Sequence, residues 1–129
     1  MRLEHVALWT DDLERARRFY ETYFAAHAGE LYRNPHTRFQ SYFLSFATGA
    51  RLELMHRADI ARPPPAPETE SIGLAHFAVA LGSEAAVDQL TERFRRDGLR
   101  VLSAPRRTGD GYYESVVLDP DGNRLELTV

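Results

Sequence analysis

Hydrophobic and polar positions in the first half of the chain follow a strand pattern, then a helix pattern, then strands again. Residues 3–8 alternate as in a half-buried strand, and Thr10-Asp11-Asp12 supplies helix-start residues directly after them. The next apolar residues recur at steps of three and four, which predicts one helix face made of Leu13, Ala16, Tyr20 and Tyr23. Aromatic residues at 39–46, the turn Thr48-Gly49 and the segment 51–55 predict further strands.

A proline-rich stretch from Ala61 to Pro67 interrupts this order and predicts a stiff connector, because proline cannot continue a helix or a central strand. After it, residues 74–79 repeat the opening strand, and Ser83 is placed to cap a helix that ends at Gly98. The apolar stripe of that helix consists of Val87, Leu90 and Phe94. The last strands are predicted at Val101, at 113–118 and at 124–129, with a turn at Asp119-Pro120-Asp121-Gly122.

The two halves also share residues. Segments 49–54 and 122–127 both read Gly-x-Arg-Leu-Glu-Leu, and His5 and His76 occupy the same place in their strands. Repetition of this kind predicts a pseudo-symmetric pair of modules, 1–60 and 72–129, joined by the proline-rich linker within one domain of 129 residues.

Composition narrows the possible partners. The net charge of -3 argues against a protein that binds nucleic acid, which usually shows a basic surplus. The absence of cysteine excludes disulfides and thiolate ligands, so any bound metal must be held by histidine and carboxylate. No signal peptide or apolar membrane segment is recognisable, so we expect a cytoplasmic protein with no membrane partner.

Four repeated polar residues are candidates for a divalent metal site: His5, Glu53, His76 and Glu126. Strand alternation places each glutamate on the face opposite its leucine neighbours, and buried histidine or carboxylate is costly unless paired, hydrogen-bonded or metal-bound. Two imidazoles with two carboxylates suit Ni, Co, Fe, Mn or Zn. For each residue alone, exposure to solvent or a hydrogen bond is the competing interpretation. His27, His36 and His56 have no repeat partner, and surface positions are expected for them.

The motifs Glu4–Leu8, Arg51–Leu54, Leu74–Val79 and Asp119–Leu127 together resemble the vicinal oxygen chelate superfamily, and more narrowly a bacterial glyoxalase I-like protein related to lactoylglutathione lyase. The resemblance covers essentially the whole chain. It implies an α+β fold in which two tandem βαβββ modules form a cupped mixed sheet around a metal. A small-molecule substrate and a homodimer are further implications.

The resemblance also implies an activity. The set His, Glu, His, Glu matches glyoxalase I, a lyase that isomerises the hemithioacetal of a 2-oxoaldehyde through an enediolate. In that interpretation Glu126 is the general base, Glu53 is the second catalytic carboxylate and metal ligand, and His5 and His76 anchor the ion. Three alternatives stay open: a metal-dependent dioxygenase, a fosfomycin-type thiol transferase, and a non-catalytic small-molecule binding protein.

The chain departs from the glutathione-using members at two positions. Those enzymes have an arginine four residues after the first histidine and an asparagine four residues after the first glutamate, where this chain has Trp9 and Arg57. Candidate substrate residues are Trp9, Arg38 and Arg57. Either arginine could bind a substrate carboxylate, and the competing interpretation is that both are ordinary solvated charges. Three residues after the glycine-containing loop 108–111 are further candidates for lining the pocket: Tyr112, Tyr113 and Glu114. The competing interpretation is that they are ordinary strand residues.

Overall fold

The computed structural model describes residues 1–61 and 72–129, and the chain divides into two compact units, Met1–Pro64 and Pro65–Val129. Most of the expected proline-rich connector falls at 62–71 and lies outside the described residues. Each unit is one helix packed on one mixed sheet, so the α+β class and the two tandem βαβββ modules are confirmed. Their union in a single cupped sheet stays a prediction. Within the described ranges, no helix has the length and apolarity needed to span a bilayer.

The described residues of unit 1 form one helix and a sheet of five strands. Its elements are β1 (His5–Trp9), α1 (Leu13–Phe24), β2 (His27–Ala28), β3 (Tyr32–Arg33), β4 (Gln40–Ser45) and β5 (Arg51–His56). The strand order is β1-β5-β4-β2, and β3 also pairs with β4. β1 and β5 run parallel, whereas the other pairs are antiparallel. The two-residue strands β2 and β3 were not predicted, because segments this short leave no periodic signal.

Helix α1 begins where the sequence predicts. Asp12 caps it, since the carboxylate accepts a hydrogen bond from the backbone N–H of Arg15 at 2.9 Å. The residues that α1 buries are Leu13, Ala16, Phe19 and Tyr20. Tyr23, which was expected in the buried stripe, is only half-buried, whereas Phe19, which was not expected there, is buried. The helix packs on β4 and β5. This packing covers one face of the sheet and leaves the face that carries Glu53 free of the helix.

Unit 2 repeats the arrangement, with four strands among residues 72–129. Its elements are β6 (Phe77–Ala80), α2 (Glu84–Arg96), β7 (Val101–Arg107), β8 (Tyr113–Leu118) and β9 (Arg124–Thr128). The strand order is β6-β9-β8-β7, and β6 and β9 are the parallel pair. The opening strand begins at Phe77 and not at Leu74 as predicted, so His76 lies one residue before it.

Helix α2 starts at its predicted cap, where the hydroxyl of Ser83 accepts from the backbone N–H of Ala86 at 3.2 Å. Its fully covered residues are Val87, Thr91 and Phe94, with Leu90 only half-buried. Thr91 can be buried because its hydroxyl donates to the Val87 carbonyl at 2.7 Å and accepts from the Ser115 hydroxyl at 2.7 Å.

The turn between β8 and β9 is held by one aspartate. The Asp119 carboxylate accepts hydrogen bonds from the backbone N–H groups of Asp121 and Asn123, at 2.9 and 2.8 Å. Gly122 has a φ of 88°, which glycine adopts without steric cost. This turn sets the register in which Val116 lies opposite Glu126.

Candidate functional site

The first candidate pair, His5 and Glu53, lies on neighbouring parallel strands of unit 1. Ala7 is the direct neighbour of Glu53 across β1 and β5, so His5 is a diagonal neighbour on the same face. The Nε2 atom of His5 is 3.8 Å from Oε2 of Glu53. The Glu53 side chain is only 14% exposed and that of His5 is 38% exposed. The pair therefore presents a mostly covered carboxylate and a more accessible imidazole.

The second pair, His76 and Glu126, has a corresponding arrangement in unit 2, with His76 just before β6. Ala78 lies opposite Glu126 across β6 and β9, and His76 precedes Ala78 by two residues, as His5 precedes Ala7. The Nε2 atom of His76 is 3.1 Å from Oε2 of Glu126, whose side chain is 15% exposed. The sequence repeat thus corresponds to a repeat in three-dimensional structure, one His–Glu pair in each unit.

The imidazole of His5 is held by residues that the sequence analysis did not single out. Its Nδ1 donates to the Glu4 carboxylate at 2.5 Å, and Arg51 donates to that carboxylate from Nε and Nη2 at 2.9 and 2.5 Å. The His5 ring also meets Phe43 edge-on, with centroids 5.3 Å apart. These contacts leave Nε2 directed towards Glu53, as in metal sites where a carboxylate orients a ligating histidine. In the sequence, the only sign of this contact is that the carboxylate residue Glu4 directly precedes His5. The residue before His76 is Ala75, which has no carboxylate, so unit 2 does not repeat this contact.

A further carboxylate lies beside Glu126. Glu114 and Val116 point to the same side of the sheet as Glu126, and Nη2 of Arg106 donates to Glu114 at 3.1 Å. Burial raises the pKa of Glu126 above the ordinary glutamate value, and the charge of Glu114 raises it further. A cation bound next to Glu126 would oppose both effects, because positive charge favours the ionised carboxylate. Arg106 was not predicted, since its place depends on the irregular register of β7 and β8.

Three candidate substrate residues lie in unit 1. Trp9 ends β1 on the face that carries Glu53, and the Arg57 guanidinium lies 5.7 Å from its ring centroid. Arg38 occupies a left-handed backbone conformation, with φ of 55°, in the loop before β4. Trp9 and Arg57 are therefore brought together beside the first pair.

The two tyrosine candidates in unit 2 are placed differently from the candidates in unit 1. Tyr113 points towards α2, where its hydroxyl donates to Asp88 at 2.7 Å, so it lies on the face opposite Glu126. Tyr112 precedes β8 and is 57% exposed. The structure does not bring Tyr113 to the face of the second pair.

The remaining histidines carry no repeated partner. His27 and His36 are exposed as expected. His56 is half-buried, because its Nδ1 is bonded at 2.9 Å to the backbone carbonyl of Thr10. Among residues 1–61 and 72–129, no three His, Asp or Glu side chains are grouped as a metal site. Each His–Glu pair offers two donors.

Comparison with known proteins covers nearly the whole chain. The family model of the Glyoxalase/Bleomycin resistance protein/Dioxygenase superfamily matches residues 2–127. The uncharacterized protein YqjT of Bacillus subtilis is 30% identical over 97% of this chain and 96% of its own length.

Solved structures share the fold. Lactoylglutathione lyase from Agrobacterium tumefaciens is 27% identical, with a TM-score of 0.67 over 98% of this chain and 91% of that protein. Glyoxalase I from Zea mays is 23% identical with a TM-score of 0.76, and the chain, although covered to 98%, spans only 44% of that longer protein. The expected resemblance is confirmed by the family match and by the topology of both units. The chain belongs to the Glyoxalase/Bleomycin resistance protein/Dioxygenase superfamily.

Proposed function

We propose that the chain is a metal-dependent lyase of the glyoxalase I type that isomerises the hemithioacetal of a 2-oxoaldehyde. The observation that carries this proposal is the duplicated His–Glu pair, which has the same strand register in both units. The likeness to lactoylglutathione lyase from Agrobacterium tumefaciens supports it. A homodimer and a cytoplasmic location belong to the same proposal, as predictions from the sequence.

The donor atoms of the two pairs fit a divalent metal. His5, Glu53, His76 and Glu126 offer two imidazole nitrogens and two carboxylates, a set suited to Ni, Co, Zn, Mn or Fe. Both carboxylates are largely shielded from water and each lies next to an imidazole nitrogen, at 3.8 and 3.1 Å. Such a cation, when bound, polarises the oxygens of the substrate and stabilises negative charge that develops on them.

The proton transfer is assigned to a carboxylate of the chain. Glu126 removes the proton from the substrate carbon and returns it to the adjacent carbon, which completes the isomerisation without a net change in protons. Its partial burial favours this role, because a carboxylate with limited hydration is a stronger base once it is ionised. Glu53 is assigned as the second carboxylate, and His5 and His76 are assigned as the two nitrogen ligands of the ion.

The test combines metal content with turnover. Protein loaded in turn with nickel, cobalt, zinc, manganese or iron is assayed with hemithioacetals formed from methylglyoxal and glutathione, and from methylglyoxal and other small thiols. We expect Glu126→Gln to lower kcat by about 100-fold or more. The matched control is Glu30→Gln, at an exposed glutamate far along the sequence from the four donors, which should leave kcat unchanged.

The outcomes separate the alternatives. Bound metal without isomerase turnover for any thiol would contradict the lyase proposal and direct the search to dioxygenase or thiol-transfer chemistry. A protein that binds small molecules but no metal would fit a non-catalytic binding protein.

A further inference from the structure

Unit 1 carries a small group of aromatic side chains close to its His–Glu pair. We call Trp9, Tyr32 and Phe39 the aromatic patch. Phe39 joins the other two, with ring centroids 6.1 Å from Trp9 and 6.2 Å from Tyr32. Trp9 remains 40% exposed and Tyr32 55% exposed, so much of this aromatic surface meets solvent.

The aromatic patch and the His–Glu pair share one face of the sheet. Trp9 follows Ala7 by two residues on β1, and Ala7 lies directly opposite Glu53. Alternation puts Ala7 and Trp9 on the same side, and two residues of a strand span roughly 7 Å. A single small molecule can therefore contact the patch while its reactive end lies beside Glu53.

Positive charge borders the aromatic patch. Arg57 lies over the Trp9 ring at 5.7 Å and also forms an ion pair with Asp59 at 2.6 Å. Arg38 directly precedes Phe39 in a loop fixed by the Asn34 side chain, which accepts from the backbone N–H groups of His36 and Thr37 at 3.0 and 3.2 Å. Arg57 and Arg38 carry two positive charges against the single negative charge of Asp59, so the summed charge of these three residues is positive.

We propose that the aromatic patch binds a planar aromatic group with an anionic substituent, as one end of the substrate whose other end lies at the His–Glu pair. The proposal rests on the proposed function and names its substrate class: an aromatic acid portion in place of a glutathione portion. The exposed aromatic area suits a small molecule, because exposures of 40% and 55% leave roughly 150–250 Å² of such surface. A stable contact with a second copy of the chain would need about 800 Å² from each partner.

The chain provides its own probe, because Trp9 is its only tryptophan. Metal-free protein is titrated with phenylacetate, with phenylacetamide, which keeps the ring but not the charge, and with acetate, which keeps the charge but not the ring. We expect phenylacetate to change Trp9 emission in a saturable way and to bind about threefold or more tightly than phenylacetamide, with no saturable response to acetate.

Matched variants tie the binding to the named residues. Phe39→Leu should weaken both aromatic probes, whereas Arg57→Gln should weaken phenylacetate and leave phenylacetamide nearly unchanged. The control is Arg18→Gln, an exposed arginine on helix α1, which should alter neither. Circular dichroism of each variant verifies that the fold is retained.

The titration uses neither metal nor turnover, so its failure is distinct from failure of the lyase proposal. Absence of a saturable phenylacetate response, or equal affinity for phenylacetate and phenylacetamide, would overturn the inference. Trp9 emission that moves to longer wavelength on dilution, without a phenylacetate response, would also overturn it and would assign the patch to a contact between two copies.

Discussion

The His5 ring is held from one side by Glu4, whose carboxylate accepts from Nδ1 at 2.5 Å, while Nε2 faces Glu53 at 3.8 Å. Hydrogen bonds from His5 and then Arg51 lower the pKa of Glu4, so this carboxylate is ionised and accepting at neutral pH. The tautomer that leaves the Nε2 lone pair free is thereby favoured, as a ligating imidazole requires.

The first prediction concerns this contact. Glu4→Gln should weaken divalent metal binding by about 10- to 100-fold, because the amide orients the imidazole less strongly than a carboxylate does. Isothermal titration with cobalt or zinc measures the effect. Glu30→Gln serves as the control, and an unchanged affinity in Glu4→Gln would show that Glu4 does not act through His5.

A second prediction concerns the hydrogen bond between Glu14 on α1 and Tyr42 on β4. The Tyr42 hydroxyl donates to Glu14 at 2.7 Å, and this bond, followed by that from Arg17, lowers the pKa of Glu14 from its ordinary value of 4.5. A lowered pKa stabilises the folded state above pH 4.5, and this contribution is lost as the pH falls further.

Tyr42→Phe should therefore reduce the free energy of unfolding by about 1 kcal/mol at neutral pH, a value kept small because Glu14 is partly exposed. Denaturant titrations of both proteins at several pH values test this. The difference between them should shrink below pH 4.5, and a difference that grows there would contradict the assigned bond.

A third prediction concerns the buried hydroxyl pair of unit 2. Thr91 and Ser115 are both 0% exposed and bonded to each other at 2.7 Å. Thr91→Val should lower the free energy of unfolding by about 1–3 kcal/mol, because the Ser115 hydroxyl loses its partner. The double variant with Ser115→Ala should cost less than the two single changes added together. Additive costs in the denaturant-based cycle would show that the hydroxyls are not coupled.

Local patterns allowed much of the fold to be predicted. The caps Asp12 and Ser83 are where the sequence indicates, because helix-start chemistry depends on neighbouring residues alone. The burial of Thr91 in place of Leu90 was missed, since it depends on a hydroxyl partner on β8, which periodicity does not reveal.

In the candidate site, too, local features could be predicted from the sequence and contacts between distant strands could not. The repeat predicted the glutamates correctly as residues that face away from their leucine neighbours, because strand alternation is local. The contacts of Glu4 with Arg51 and of Glu114 with Arg106 depend on pairing between distant strands. Such cross-strand neighbours become visible only when the register is known.

The proposed function assigns His5, Glu53, His76 and Glu126 as ligands of one divalent ion, and metal stoichiometry tests this assignment most directly. Equilibrium dialysis with cobalt, followed by elemental analysis, is carried out on the native chain and on His5→Ala, His76→Ala and the surface control His36→Ala. We expect about one ion per chain, a loss of affinity of about 10-fold or more in each ligand variant, and no change in His36→Ala. Two results would contradict this assignment. One is binding of two ions per chain, of which His5→Ala and His76→Ala each remove one; the other is metal binding that His76→Ala leaves unchanged.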